Sequence, residues 1–251
     1  MRPRPLLVTL TAVIAVAAGC GSSAAGSKGP NGVQSKSGDQ IVAAAVTATE
    51  RQRSFHFVES TGEAGTSVSL VADVGTSSGE ERVTIHEGTK DGHLTLRLVA
   101  RTAYLQGDAL GLEDFTGLSA KLAGDFAGKW ISVPSTNAGF SDLAGSLAVK
   151  TASAQLVKLP GKLTRGKTST ELGHRAVAVD AVQTTSSGSL KLTMYVATTG
   201  AALPILVEGT TQAAGSTAHS VSGKFSDWGE TVHLSAPSVS VPLATVQALA
   251  G

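Results

Sequence analysis

The sequence has a single cysteine, Cys20, among its 251 residues, which excludes an internal disulfide. Aromatic residues are also few, with six Phe, two Tyr and two Trp, so the core has to be built mainly from Val, Leu and Ala. Neither sign of charge dominates, because 20 basic residues face 19 acidic ones. The sequence therefore lacks the excess of basic residues that is typical of nucleic-acid-binding proteins, and no nucleic-acid partner is expected.

Catalytic motifs in a suitable structural context are absent as well. No HExxH spacing occurs in the sequence. Residues 75–79 fit the GxSxG spacing and residues 161–168 fit the P-loop spacing, but both segments are predicted to be strands and turns, without the helix that must follow each motif. Glu80-Glu81 and Glu113-Asp114 are pairs of adjacent carboxylates, but adjacent side chains on a strand or helix point apart, so neither pair makes an acid/base dyad. The sequence therefore predicts a protein that is not an enzyme and needs no cofactor.

The six histidines are dispersed along the chain. His86 and His93 flank a predicted turn at Asp91-Gly92, where Glu87 and Asp91 could complete a zinc site. The alternative is a solvated hairpin tip, because a zinc ion needs three or four converging ligands. No metal site is predicted on this evidence.

The N-terminal segment has the pattern of an export signal. Arg2 and Arg4 precede an apolar run, and residues 6–19 number 14, fewer than the ~18 of a membrane span. Residues 1–19 are therefore predicted to be a signal peptide. Its end, Ala17-Ala18-Gly19-Cys20, resembles a bacterial lipobox, although that motif favours Leu where Ala17 stands. This resemblance implies cleavage before Cys20 and lipid on its sulfur. The alternative is an ordinary signal with an incidental cysteine.

Lipid on Cys20 predicts an exported protein that is anchored to the outer face of the cell membrane. Two or more acyl chains anchor a protein stably, whereas one does so only marginally. Removing Arg2 and Arg4 leaves 18 basic against 19 acidic residues, a net charge of −1, so lipid and not charge has to hold the chain there. Residues 20–38, with Val33 as the one bulky apolar residue, are predicted to be a flexible tether. Residues 39–251 are predicted to form a single domain.

Helical and strand periodicities alternate along residues 39–251. A helix is predicted to begin with Asp39 as its N-cap, and two more are predicted over 110–128 and 140–156. Two series of alternating segments, over 54–107 and 162–234, predict antiparallel strands with one apolar face. The fold class is thus α+β, with about 10–11 strands and roughly three helices. The 29 glycines allow such a sheet to bend sharply.

Several short motifs resemble a known family. They are Lys129-Trp130-Ile131, Met194-Tyr195-Val196 with Leu203-Pro204, and the ending Phe225-Ser226-Asp227-Trp228-Gly229. Together they resemble actinobacterial envelope lipoproteins of the LppX/LprG type, which share the half-barrel fold of the LolA/LolB lipoprotein carriers. This resemblance implies a strongly curved antiparallel half-barrel, helices over its concave face, and an apolar cavity that holds acyl chains. It also implies a lipid or glycolipid ligand that is carried or presented.

The period-2 apolar positions are the candidate lining of that cavity, with ordinary core packing as the alternative for each. They are Phe55, Phe57, Leu70, Leu94, Leu96, Leu98, Leu192, Met194 and Val196. The alternative function is a tethered interaction or sensory module with a solid core, whose partner is another envelope protein. Helices packed flush on the sheet, with no cavity larger than a few waters, would favour this alternative. The sequence also predicts that Asp227-Trp228-Gly229 forms a tight turn between the last two strands.

Overall fold

The computed structural model describes residues 29–63 and 65–249. The predicted signal peptide, Cys20 and the first part of the predicted tether lie outside the described residues.

Twelve strands and six α-helices form in the part of the chain that the structure describes. The sequence predicted fewer of each, about 10–11 strands and roughly three helices. The strands are β1 (Ser54–Glu63), β2 (Thr66–Gly75), β3 (Ser78–Glu87), β4 (Lys90–Val99), β5 (Thr102–Gly107), β6 (Ile131–Pro134), β7 (Lys162–Glu171), β8 (His174–Thr185), β9 (Gly188–Ala197), β10 (Pro204–Ala213), β11 (His219–Ser226) and β12 (Val241–Pro242). The helices are α1 (Gly38–Glu50), α2 (Ala109–Thr116), α3 (Ala120–Phe126), α4 (Phe140–Gly145), α5 (Val149–Leu156) and α6 (Leu243–Ala248). None of these helices is long and apolar enough to span a membrane.

All the strands belong to one curved, open sheet in the order β12-β6-β5-β4-β3-β2-β1-β11-β10-β9-β8-β7. Neighbouring strands are antiparallel except β12 and β6, which are parallel. The pairing of β1 with β11 joins the two meanders. This architecture confirms the predicted α+β half-barrel. At Gly223 a Cβ atom would lie 2.8 Å from the Phe57 ring, so a glycine is needed there for the ring to lie flat on the concave face.

A capping box starts α1. The Ser37 hydroxyl accepts a hydrogen bond from the Gln40 N–H, and the Gln40 side chain accepts one from the Ser37 N–H. Ser37 is therefore the N-cap, and the prediction of Asp39 was wrong by two residues. Asp39 instead lies in the first turn, where a negative charge interacts favourably with the helix dipole.

Each of the two longer predicted helices is in fact a pair of short ones. Gly117, with a φ of 70°, ends α2, and the Ser119 hydroxyl then accepts a hydrogen bond from the Leu122 N–H to start α3. Residues 146–148 likewise separate α4 from α5. The covering layer is thus made of short pieces that can follow the curvature of the sheet.

The predicted turn at Asp91-Gly92 was also wrong. Both residues lie within β4, where Gly92 pairs with Ile85 and Asp91 with His86. The chain turns instead at residues 88–89, where Gly88 has a φ of 62°. This register places Leu94 opposite Val83 on the apolar face, so side-chain burial outweighs the local turn preference of Asp-Gly.

Asp227-Trp228-Gly229 does form a turn, since Asp227 has a φ of 50° and Gly229 one of 81°. This turn begins residues 227–240, here named the crossing segment. The strand predicted for 231–234 does not form within it. The crossing segment accepts hydrogen bonds from outward-facing side chains of three strands, Ser54 to Glu230 O, Ser78 to Val232 O and Arg97 to Ser235 O. It therefore runs over the convex face before β12 pairs with β6.

Residues 29–38 pack against the domain, which corrects the predicted extent of the tether. Pro30 forms a β-bridge with Thr199, and the Asn31 side chain donates a hydrogen bond to Ala197 O at 2.8 Å. Val33 lies in a short 3-10 helix and is only 2% exposed. The described domain therefore begins well before residue 39.

Two apolar cores lie between the sheet and the helices. The first core packs α1 and α5 onto β1, β2 and β8–β11. The second core packs α2, α3 and α6 onto β3–β6, with Phe140 and Leu143 of α4 beside it. Leu70 on β2 is half-buried and contacts both cores. The cover over the concave face is thus divided above β2 and β3.

Candidate functional site

A small cleft opens on the concave face where the two cores meet. Its volume is about 50 Å³, enough for one or two water molecules. The lining comes from β1, β2, β3, α5 and the loop before α5, and consists of Phe57, Glu59, Leu70, Ala72, Val74, Glu81, Ser146, Ala152, Gln155 and Leu156. The cleft is therefore largely apolar, with two carboxyl groups among its walls.

The structure places the nine predicted lining residues on the helix-covered face, but it does not bring them to one cavity. Phe57 and Leu70 line the cleft. The first core contains Phe55, Phe57, Met194 and Val196, with Leu192 packed against it, and the second core contains Leu94, Leu96 and Leu98. Seven of the nine are buried, and the two exceptions are the half-buried Leu70 and Leu192.

Glu59 and Glu81 are cleft residues that the sequence reasoning missed. Glu59 has the same parity as Phe57 on β1 and pairs with Leu70, while Glu81 pairs with Ala72 on one side and Leu96 on the other. Both therefore face the helices. Strand alternation alone could have found them, because Glu59 follows Phe55 and Phe57 at a spacing of two.

Burial raises the pKa of both carboxyl groups above the ordinary glutamate value of 4.5. For Glu81, whose residue is only 6% exposed, burial has the largest effect on the pKa. A hydrogen bond with the Ser146 side chain lowers this pKa, and the charge of Glu59 raises it. The charge of Glu59 thus disfavours ionisation of Glu81 across the cleft.

Glu80, the next residue along β3, faces the opposite way. Its carboxylate forms ion pairs with Arg82 and Arg97 on the convex side. The prediction that Glu80 and Glu81 point apart is therefore confirmed. The Glu80 carboxylate is thus neutralised by two arginines, whereas Glu81 lies among apolar side chains and interacts with Ser146.

The raised pKa predicts how Glu81→Gln changes stability with pH. A carboxyl whose pKa is higher in the folded state contributes full stability below its unfolded value near 4.5, and that contribution is lost as the pH rises through the folded value. Glu81→Gln should therefore be more stable than the wild type at pH 7, and the difference should shrink towards pH 4. Urea unfolding of both proteins at several pH values measures this.

Glu87→Gln is the matched control, because Glu87 lies on the same strand with the same parity but is exposed. It should follow the wild type at every pH. A Glu81→Gln protein that is less stable than the wild type at pH 7 would show that the Ser146 contact, and not burial, dominates the energetics of this side chain.

A second cavity, of about 240 Å³, lies beneath the crossing segment on the convex side. Its wall is mostly polar and includes Asp227, Glu230, His233 and the pair of His56 Nδ1 with Asp73 Oδ1 at 2.7 Å. Within residues 29–63 and 65–249, no group of three or more His, Cys, Asp or Glu side chains could hold a metal ion.

The histidines considered for zinc are engaged separately. His86 Nδ1 pairs with Asp91 Oδ1, and His93 Nδ1 lies 3.3 Å from the Thr84 hydroxyl on the neighbouring strand. The two rings therefore have different partners, and the structure does not assemble the four-residue group that the sequence suggested.

No family model matches the chain, and no curated protein matches it. Among solved structures, the chain is similar to the crystal structure of LprF from Mycobacterium bovis. The two sequences are 15% identical, the TM-score is 0.49, and the match covers 83% of this chain and 99% of that one.

A second similar structure is a putative outer membrane lipoprotein-sorting protein domain from Vibrio parahaemolyticus. It is 10% identical with a TM-score of 0.29, and the match covers 80% of this chain and 95% of that one. At these identities and TM-scores, no ligand or residue role is transferred from either protein.

Proposed function

We propose that this chain is a membrane-tethered envelope lipoprotein that binds acyl chains of a lipid or glycolipid on its concave face. The protein carries or presents the ligand and makes no covalent change to it. The observation that carries this proposal is the divided cover above β2 and β3, where an apolar cleft reaches the sheet between the two cores.

Apolar side chains extend the cleft along the concave face. Val68 and Ile85 share the face of Leu70 and are half-buried, so neither helices nor loops cover them fully. A partly exposed apolar strip beside a cleft is typical of a ligand-binding surface. Each methylene of an acyl chain buried there would contribute about 0.8 kcal/mol.

The cleft must widen to accept an acyl chain, because ligand pockets usually measure about 300–1,000 Å³. The part of the cover beside it is suited to movement. Both α4 and α5 lack a side-chain hydrogen bond at the N-cap, and helices this short have little stability of their own. Their connection is held to the sheet by the bridge between Ala148 and Gly75, and widening the cleft would move α5 relative to that bridge.

Native mass spectrometry of the full-length protein, released gently from membranes, tests the proposal. A carrier should show a population whose mass exceeds the lipidated protein by that of one further, non-covalent lipid. Collisional activation should remove this second lipid but not the covalent one. Protein that carries no dissociable lipid, and gains none when incubated with the cell's own lipid extract, would contradict the proposal.

A second candidate function is the tethered interaction module with another envelope protein as its partner. The close packing of seven of the nine predicted lining residues favours it. So does the size of the cleft, which meets the criterion of a cavity no larger than a few waters. The same mass spectra separate the two functions, because a module with a solid core should remain lipid-free under all conditions.

Replacing Leu70 by Trp should block the cleft at little cost in stability. Leu70 is half-buried and lines the cleft, so the larger ring can occupy the space proposed for an acyl chain. We expect lipid occupancy to fall several-fold while the melting temperature stays close to that of the wild type. Leu96→Trp is the control, because Leu96 is 1% exposed, and overpacking there should cost about 1–3 kcal/mol.

Replacing Cys20 by Ala should release the protein from the membrane into the medium or leave it with an uncleaved signal. The physical reason is that the mature chain has a net charge near zero, so covalent lipid is the proposed source of membrane affinity. Fractionation and intact-mass measurement of the N-terminal peptide check this. A wild-type N-terminus that begins elsewhere and carries no acyl mass would refute the lipidation of Cys20.

A further inference from the structure

Two carboxyl groups lie among the mostly apolar walls of the cleft. The lining that the structure describes contains no Lys, Arg or His, and its other polar side chains are Ser146 and Gln155. We propose that Glu59 and Glu81 couple occupancy of the cleft to protonation, so that the cleft takes an acyl chain with its carboxyls neutral and releases it as they ionise. This inference rests on the proposed acyl-chain binding and adds a regulator to it.

The surroundings of the two carboxyls support an exchange of protons with solvent and not with a neighbouring base. The same-face neighbours are Phe57 and Thr61 on β1, Leu70 and Ala72 on β2, Gly79 and Val83 on β3, Leu96 on β4 and Gly223 on β11. The charged residues of the covering helices α4 and α5, Asp142 and Lys150, are exposed and outside the lining. Among the described residues of the cleft wall, Glu59 and Glu81 are thus each other's only titratable neighbour.

The direction of coupling follows from desolvation. The pKa of each carboxyl is already raised by burial when the cleft is closed. An acyl chain against the same groups would exclude the remaining water and would supply neither a charge nor a hydrogen-bond donor, so it would disfavour the ionised form further. Opening the cleft without a chain returns the carboxyls to water and favours ionisation.

Binding should therefore take up protons, and affinity should fall as the pH rises above the ordinary glutamate value of 4.5. Each carboxyl that is neutral in the bound state and ionised in the free state takes one proton from solvent on binding and returns it on release. By linkage, one such proton weakens binding about tenfold for each pH unit within the window.

The experiment measures binding of an uncharged diacylglycerol with a pyrene-labelled acyl chain to the full-length protein between pH 5 and pH 8. Wild type should lose affinity steadily with rising pH. The double variant Glu59→Gln with Glu81→Gln should bind about as tightly as the wild type does at pH 5 and should show no pH dependence. Glu87→Gln, which removes an exposed carboxyl of the same strand, should keep the wild-type slope.

A flat wild-type profile, or the same slope in the double variant, would overturn the inference while leaving acyl-chain binding intact. Absence of binding in every protein at every pH would instead refute the proposed function, and this inference with it. Calorimetry of the wild type in two buffers of different ionisation enthalpy gives the proton count without any variant. Net uptake of protons on binding is expected, and zero uptake throughout the range from pH 5 to pH 8 would contradict the proposal.

Discussion

Replacing Phe55 by alanine is expected to lower the free energy of unfolding by about 3–5 kcal/mol. Phe55 is 1% exposed and lies in the first core. Its ring centroid is 5.2 Å from that of Trp228 and 5.9 Å from that of Phe225. In a chain with ten aromatic residues, this cluster supplies much of the rigid filling of the first core. Urea denaturation measured at equilibrium checks the value.

Val58→Ala is the matched control, because Val58 is an exposed position on the same strand. It should change stability by about 0.5 kcal/mol or less. Trp228→Ala should cost less than Phe55→Ala, since Trp228 is only half-buried. A loss below ~1 kcal/mol for Phe55→Ala would mean that the aromatic cluster does not hold β1 to β11.

Gly111→Ala should destabilise the protein by about 3 kcal/mol, although alanine favours helix formation. Gly111 lies in α2, where an added Cβ would be 2.7 Å from the carbonyl carbon of His93 and closer still to its oxygen. The obstacle is the backbone of β4, which cannot rotate away. Asp108 holds the contact from both sides, since its carboxylate accepts hydrogen bonds from the His93 and Gly111 N–H groups.

Gly124→Ala tests the same substitution without the obstacle. Gly124 is in the interior of α3, and no atom lies within 4 Å of the position of an added Cβ. Here the change should stabilise the protein by about 0.5–1 kcal/mol. Thermal melts of the two variants should therefore shift in opposite directions, and a stabilising shift in both would show that α2 does not press on the sheet.

Much of the sheet could be predicted because its strands alternate. Phe55 with Phe57, and Leu94 with Leu96 and Leu98, lie on the buried face as the period-2 pattern indicated. The predicted turn at Asp91-Gly92 failed because register is a property of paired strands. Shifting the turn by three residues let Leu94 face Val83, a contact that no local turn preference reports.

The last part of the chain could not be predicted for a different reason. Residues 231–234 look like a strand, but they belong to the crossing segment, whose Glu230, Val232 and Ser235 carbonyls accept hydrogen bonds from side chains far away in sequence. The donors are Ser54, Ser78 and Arg97. Two of the nine predicted residues, Phe57 and Leu70, line the cleft. The cleft depends on where the separate helices end, and the sequence reasoning treated 110–128 and 140–156 as continuous. The sequence does not predict that Glu59 and Glu81 meet, because they lie on β1 and β3, which are separated in the sheet by β2.

The open sheet leaves two outer strands, and an unpaired strand is a template onto which a second copy could add. β12 offers only two residues, one of which is Pro242, a residue with no N–H. β7 is longer, but it carries Lys162, Arg165 and Lys167, and its register shifts between Arg165 and Thr168. Charged side chains and irregular pairing thus protect the β7 edge from pairing with another chain. The β12 edge is protected because it is short and contains a proline. An open sheet whose edges are protected in this way can remain monomeric at high protein concentration without closing on itself.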